Sequence, residues 1–371
     1  MADRDLVVVG GGPAGLAVAI RARQAGLRVA VLERGHPPID AACGEGILPD
    51  TRAELVTMGV ELHAAERFEV HGIRYLCDEL AAEGRFAGTP AWGVRRTALH
   101  AALARRAEAL GAELRWSTEA RGLAEGGVAT ESEVLAARTI IAADGRNSRI
   151  RSWAGIEVRP GRPERNAVRR HFAIAPWTDL VEVYWAEQAE AYVTPVGPQQ
   201  VGVALLWNGQ SASFDALLTK FPRLAARLGS VSPSSRDRGV ARIGGRPSRI
   251  VSGKVALVGD AAGGVDPITG EGLSLAFRGA AALVRALAAG RLDDYERSHA
   301  RVVRAPRAMA RVLLLLERSA RLRRGAVAAL SADPALFSRL LAFHTSALPA
   351  RRIGLLATAR LLARAAAGAP A

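Results

Sequence analysis

Residues 5–9, Asp-Leu-Val-Val-Val, form a short apolar, β-branched run that ends in Gly10-Gly11-Gly12-Pro13-Ala14-Gly15. An apolar, helix-like stretch, LAVAIRARQAG, follows and closes at Gly26; RVAVLE (28–33) then reads as a second strand. Strands that are apolar at every position, rather than at every second one, predict a β-α-β unit in a parallel sheet covered on both faces. In 93–110, Leu99, Leu103 and Leu110 recur at helical spacing with arginines between them, which predicts a long helix after a short strand. Residues 139–142 and 254–258 predict two further buried strands, the first before Asp144-Gly145 and the second before Gly259-Asp260. Between about 168 and 207 the pattern changes. RRHFAIA, VEVYW, EAYVTP and QVGVALLW are short aromatic-bearing runs separated by turn residues, as in an antiparallel sheet. From about 275 onward the chain is rich in Ala, Leu and Arg and predicts helices. The expectation is an α/β fold: a parallel lobe, an antiparallel insertion, a return to the first lobe near Val255 and a helical C-terminus.

Composition narrows the class. The 371 residues are 49% apolar and 23% charged, an ordinary globular balance in a chain long enough for two lobes or one elaborated domain. Cys43 and Cys77 are the only cysteines, without a CxxC pair or a metal-spaced His cluster. This excludes a disulfide framework, argues against any metal site and points to a reducing cytoplasm. MADRDLVVV carries an early acid pair rather than a basic leader, and no stretch reaches the ~18 apolar residues of a membrane span. The net charge of +14 is concentrated at the end, where thirteen arginines from Arg301 onward face only Glu317 and Asp333. Nucleic-acid binding calls for basic residues interleaved with aromatics, and this tail offers Arg with Leu and Ala instead. Arg outnumbers Lys throughout, with only Lys220 and Lys254 present, so a compositional habit is the favoured explanation. Peripheral attraction of these basic helices to a membrane surface stays as the alternative.

The first chemical signature is Gly10-x-Gly12-x-x-Gly15 with Glu33. Gly10 permits the tight turn, Gly12 lets the backbone approach a pyrophosphate and Gly15 allows close helix–strand packing. The helix start at Pro13 and Ala14 supplies amide donors, and Glu33 stands where an acid binds ribose hydroxyls. An acid at 33 argues against a 2′-phosphate, with the neighbouring Arg34 as the counterweight.

Two distant segments, IIAADGRNSRIR (140–151) and VALVGDAAGGVDPITGEGLSLAF (255–277), resemble the DG and GD motifs of flavoproteins of the para-hydroxybenzoate hydroxylase superfamily. That superfamily includes FAD-dependent monooxygenases, flavin halogenases and geranylgeranyl reductases. The resemblance runs from residue 1 to about 300 with the motifs in order. It implies a Rossmann-like FAD-binding domain of the GR2 type, built from 1–70, 90–165 and 245–300. It further implies an inserted substrate-binding β-rich domain from 71–89 and 166–244, followed by a C-terminal helical region, 301–371. By the same resemblance, Asp260 after Gly259 accepts from the ribityl hydroxyls. The helix start around Pro267, Gly270, Glu271 and Gly272 faces the flavin pyrimidine edge, where negative charge develops on reduction. Arg96 matches the superfamily's Arg-x-x-Leu helix start and is assigned to the FAD phosphates or ribityl chain. Asp144, Gly145 and Arg146 serve FAD and the expected electron donor NAD(P)H, which in this superfamily needs no second fingerprint.

Choosing the reaction rests on AACGEGILPD (41–50). Cys43-Gly44 is similar to the geranylgeranyl reductase branch, whereas Gly44-Glu45-x-x-x-Pro49 is similar to halogenases and related monooxygenases. A halogenase Trp-x-Trp-x-Ile-Pro element is absent and neither lysine lies near the loop, which argues against halogenation. Tyr192 and Pro195 match the reductases' Tyr-x-Trp-x-Phe-Pro element, but Thr194 replaces its Trp. The resemblance implies, first, an NAD(P)H- and O2-dependent monooxygenase that hydroxylates or epoxidises an apolar aromatic or polyketide-like metabolite of secondary metabolism. The alternative is an FAD-dependent reductase of prenyl or lipid C=C bonds, and the remote alternative a non-catalytic flavin-binding protein. The candidate catalytic residues are Cys43, Glu45 and His171, with Gly44 bringing the loop to the cofactor. Candidate aromatics for an apolar substrate chamber are Phe172, Tyr184, Trp185, Tyr192 and Trp207, of which Trp185, Tyr192 and Trp207 are assigned to the substrate wall.

Overall fold

The computed structural model describes residues 4–159, 165–243 and 245–345. Residues 1–3 of the segment read for a leader, and 346–371 of the expected C-terminal region, lie outside the described residues. The chain opens with β1 (Leu6–Val9), α1 (Pro13–Gln24) and β2 (Val29–Leu32), then reaches β3 (Gly72–Cys77) and β4 (Leu80–Arg85). It returns through α2 (Arg96–Ala109), β5 (Glu113–Arg115) and β6 (Thr139–Ala142). Next come β7 (Arg165–Phe172), β8 (Leu180–Ala186), β9 (Ala189–Gly197), β10 (Gln200–Asn208) and β11 (Arg238–Ile243). The chain re-enters the first layer at β12 (Val251–Ser252) and β13 (Val255–Leu257). The described part ends in α3 (Gly272–Ala288), α4 (Asp294–Arg318), α5 (Ala320–Ala332) and α6 (Pro334–His344).

Two large sheets organise the fold. The first runs β12-β13-β6-β1-β2-β5, parallel except for the antiparallel edge strand β12. Its strands β1, β2 and β13 are buried at every position, as the unbroken apolar runs require. The second runs β11-β7-β10-β9-β8-β3-β4 and is antiparallel, save that β3 enters beside β8 in parallel. Segments 72–85 and 165–243 thus share one sheet although about eighty residues separate them. The helix expected over 93–110 begins only at Arg96, because Ala91–Val94 is a strand paired with Arg67–Val70.

The second sheet has two apolar faces, and side-chain alternation sorts its residues between them. Val203, Leu205, Trp207 and Tyr184 pack with Phe214, Leu217 and Leu224 on one side. Val183 and Trp185 face Val327, Leu330, Phe337 and Leu341 of α5 and α6 on the other. No single helix among the described residues is long and apolar enough to cross a membrane; only α5 and α6 together reach that length, and they meet at 108°.

Candidate active site

A continuous cavity of about 1560 Å³ lies between the two sheets and the C-terminal helices. One end is a cradle of backbone turns, and the other is an apolar chamber.

The cradle starts at the turn after β1. Gly10 has φ +110°, and a Cβ there would lie 2.3 Å from the Ala143 carbonyl oxygen. At Gly15 a Cβ would sit 1.9 Å from the Gly10 carbonyl oxygen, so Gly15 sets helix–strand packing and does not line the cavity. Gly12 differs. A Cβ there meets only Arg96 Nη2, at 4.0 Å, so a larger side chain would enter the cavity beside that guanidinium. Gly12 is also the N-cap of α1, with no side-chain cap and Pro13 in the first turn, which leaves amide donors open toward the cavity. Ala14 and Arg34 line the same wall. Glu33 accepts from the Gly11 and Gly35 amides, each at 2.8 Å, and both its oxygens thereby hold the turn in shape.

Three charged groups in the cradle have unspent capacity. Arg96 is buried with Nη1 unpartnered, and burial pulls its guanidinium below its ordinary range. Asp144 accepts from the Arg149 and Ile150 amides through Oδ2, leaving Oδ1 buried and unpartnered beside Gly145. Arg146 Nε is also unpartnered, and its charge opposes the upward push that burial gives Asp260. Together with Gly259, Pro267, Gly270 and Gly272 these residues line one continuous wall. A flat backbone trough with an orphaned buried guanidinium and orphaned carboxylate oxygen fits a group that carries phosphates and hydroxyls, as FAD does. Among the described residues, no three His, Cys, Asp or Glu side chains gather to hold a metal ion.

Glu271 stands at the N-terminal boundary of α3 without a side-chain cap bond and does not line the cavity, and burial first, then Asp50, pushes its carboxyl up to about 7. His344, at the end of α6, lines the cavity and contacts the Thr269 carbonyl through Nε2 at 2.8 Å. Burial lowers its pKa, so it is a neutral imidazole donating from Nε2, with Nδ1 3.8 Å from Glu271.

Residues 43–46 cross between the cradle and the chamber. Glu45 adopts φ +58°, a left-handed backbone that a non-glycine residue holds only when its surroundings enforce it. They do. Oε1 accepts from the Arg96 amide at the start of α2 (2.8 Å), and Oε2 pairs with His171 Nε2 at 2.5 Å. The Glu45 carbonyl accepts from the Val94 amide (2.9 Å), while Thr194 Oγ1 donates to the Gly44 carbonyl at 2.8 Å. His171 is fully buried behind the wall. Arg169 Nη1 lies 2.8 Å from His171 Nδ1; because a guanidinium can only donate, Nδ1 is the acceptor and the proton sits on Nε2, toward Glu45. Arg169 itself is held by Asp40 and by the Ala41 carbonyl. The candidate pair Glu45 and His171 is therefore a clamp joining α2, the loop and β7. Cys43 faces the cavity, and burial, reinforced by Glu45, raises its pKa against the pull of Arg96, so it stays a thiol.

In the chamber, Trp185 and Tyr192 line the wall with Ile73, Val183, Leu313 and Phe337. Trp207, expected beside them, faces the opposite way and donates Nε1 to the Gln210 carbonyl. The reason is strand alternation: on β10 the cavity-facing positions are Ala204 and Leu206, so 207 belongs to the other face. Tyr184 is excluded by the same alternation against Trp185. Sequence reading missed Arg165, Arg169 and Glu190, which are all buried on strands. For Glu190 the available signal was a charge in an otherwise apolar strand, whereas the strand of Arg165 and Arg169 is polar enough to hide them.

A family model described as an FAD binding domain matches residues 3–211. Over 320 residues the chain is 28% identical to a menaquinone reductase of Mycolicibacterium smegmatis, covering 78% of each chain. It is 29% identical over 328 residues to a rifampicin monooxygenase of Streptomyces venezuelae, covering 78% of this chain and 67% of that one. Among solved structures, the Diels-Alderase PyrE3 of pyrroindomycin biosynthesis superposes with a TM-score of 0.75 at 24% identity, over 92% of this chain and 80% of that one.

Proposed function

Because the chain belongs to the FAD binding domain family and is an FAD-dependent oxidoreductase, we propose that it is a monooxygenase that uses NAD(P)H and O2 to hydroxylate or epoxidise an apolar aromatic or polyketide-like metabolite. The observation that carries this reading is the cavity. At about 1560 Å³ it exceeds the ~300–1,000 Å³ of a site for one small molecule, and its polar cradle opens directly into an apolar chamber. When bound, FAD supplies the redox chemistry. The protein's part is to hold it and to exclude water. Gly12 and the α1 amides bind phosphate, Arg96 compensates its charge, and Glu33, Asp144 and Asp260 accept from hydroxyls. Ile73, Val183, Trp185, Leu313 and Phe337 keep the substrate end dry, which favours oxygen transfer over wasteful loss of reducing equivalents. The Glu45–His171 clamp keeps the Cys43-Gly44 segment at the junction of the two compartments.

A second reading, reduction of a prenyl or lipid C=C bond, is favoured by Cys43, a neutral thiol on the cavity wall that can give up a proton. The similarity to a menaquinone reductase supports it. We place either activity in the cytoplasm, with the basic C-terminal helices as a contact to anionic membrane surfaces. The experiment is NAD(P)H oxidation under 18O2 with candidate alkyl-aromatic and prenyl substrates. Label in the product supports oxygenation. Anaerobic turnover to a saturated product would falsify it and establish the reductase.

A further inference from the structure

Four indoles separate into two pairs. Away from the cavity, Trp207 donates Nε1 to the Gln210 carbonyl at 2.8 Å and Trp177 donates to Glu182 at 2.9 Å. Trp185 and Trp92 line the cavity instead, and each keeps Nε1 buried without an acceptor. A buried N–H in that condition has given up its hydrogen bond to water and received nothing in return, so folded chains rarely leave one. Where the ring also lines a cavity, an acceptor on the occupant supplies what the protein lacks.

Trp185 belongs to the chamber. It is only 6% exposed and stands on β8 diagonally from Tyr75 of β3, whose partner in the register is Val183. The two rings meet edge to face, with centroids 5.7 Å apart and planes at 85°, and Phe337 of α6 packs on Tyr75 at 4.8 Å. Tyr75 lines the cavity too, and its hydroxyl makes no hydrogen bond among the described residues. Burial first, then Glu190, pushes this phenol up to about 12, so it keeps its proton. Two unspent donors therefore adjoin on one wall, fixed by their packing.

The other protons of that wall are committed. Thr194 Oγ1 donates to the Gly44 carbonyl at 2.8 Å. Tyr192 Oη lies 3.1 Å from both Glu190 Oε2 and the Ile268 carbonyl, so its single proton is taken. Glu190 in turn belongs to a buried cluster behind the wall. There Arg165 of β7 contacts Glu190 at 3.3 Å, Glu317 of α4 at 3.0 Å and Asp266 at 3.6 Å, and none of the four lines the cavity.

We propose that Trp185 is a specificity-determining residue whose Nε1, with Tyr75 Oη beside it, donates to a carbonyl oxygen of the ligand, so that the chamber takes an apolar ring system bearing a ketone-type oxygen in preference to the bare hydrocarbon. This rests on the reading of the chamber as the substrate site. A carbonyl oxygen has two lone pairs, one for each donor. No proton is transferred, since an indole only donates and Tyr75 stays protonated. A hydrocarbon of the same shape would fill the same volume and leave both donors dry, and that difference is the selectivity.

The test uses the FAD-loaded full chain with 2-acetylnaphthalene and 2-ethylnaphthalene, which differ chiefly in the carbonyl. Affinities are read by calorimetry, and the 13C-labelled carbonyl stretch of the bound ketone by infrared difference spectroscopy. The wild type should bind the ketone about tenfold more tightly, with its carbonyl band below the position in an alkane solvent. Trp185→Phe should bind 2-ethylnaphthalene as before, lose the preference for the ketone and return the band toward the alkane position. Tyr75→Phe should lose part of the band shift, and Trp92→Phe should keep all of it. Equal affinities in the wild type, a preference that survives in Trp185→Phe, or one lost only in Trp92→Phe overturns the inference while leaving the chamber reading standing. Should Trp185→Phe lose both ligands, the wild-type band decides: unshifted it overturns the inference, and shifted but diminished in Tyr75→Phe it upholds it. If neither naphthalene binds the wild type, the chamber reading falls as well.

Discussion

The cradle and the chamber are built from different materials. The cradle is made of backbone: Gly10, Gly12 and Gly15 are required by turn, approach and packing distances within one short stretch. The chamber and its junction are made of side chains brought together from far apart, with Glu45 meeting His171 across 126 residues and Arg165 meeting Glu317 across 152. A backbone device tolerates almost no substitution at its glycines and is indifferent to the rest of the chain. A side-chain device depends on two lobes arriving in register.

The sharpest way to break the comparison lies within the cradle itself. Gly15→Val drives a side chain into the Gly10 carbonyl and should prevent folding, read as loss of soluble protein with a thermal transition. Gly12→Val should fold with a melting temperature close to wild type yet release its FAD, because its side chain points into the cavity. If both variants retain FAD, the trough is not the phosphate site.

The next effect is at the junction. Glu45→Ala strips an acceptor from the Arg96 amide and from buried His171, and should cost about 2–4 kcal/mol in denaturant unfolding. Glu45→Gly loses the same bonds but relaxes the φ +58° backbone, so it should be less damaging than the alanine. The opposite order would show that the strain is not real. A smaller contrast separates the two faces of the second sheet. Trp185→Ala and Trp207→Ala should each cost about 3–5 kcal/mol, but only the first should alter substrate binding in turnover assays.

The smallest effect is in pH dependence. Glu190, raised to about 7 in the fold, binds more protons folded than unfolded between its ordinary value near 4.5 and 7. Stability therefore falls as pH rises through that window, and Glu190→Gln should flatten the slope of melting temperature against pH there. Glu271, raised for a similar reason, should leave a residual slope. An unchanged slope in Glu190→Gln would place the Glu190 proton elsewhere in the cluster.

Legibility in the sequence follows the same division. The GxGxxG turn, the strands at 6–9, 29–32 and 139–142, and the helical C-terminus express local chemistry, so a few adjacent residues carry the signal. Arg96 was assigned through the superfamily's Arg-x-x-Leu motif, which likewise spans only a few adjacent residues. Trp207 was misplaced because strand register is set by the neighbouring strand, and a one-residue choice flips the face. Arg169 fixes the tautomer of His171 from two residues away on one strand, but the meetings of His171 with Glu45 and of Arg165 with Glu317 depend on which distant segments the fold brings together. The parallel entry of β3 beside β8 joins two segments that no short-range pattern connects.

The far wall of the chamber has a separate origin from its floor. Leu313, Leu330, Phe337 and Leu341 come from α4, α5 and α6, whereas the cradle glycines come from the first fifteen residues, Gly145 and 259–272. Descendants of this chain could thus acquire new substrates by drift in the C-terminal helices alone, with the cofactor machinery inherited unaltered. His344 marks where such drift must stop, since its bond to the Thr269 carbonyl ties the helical wall to the cradle.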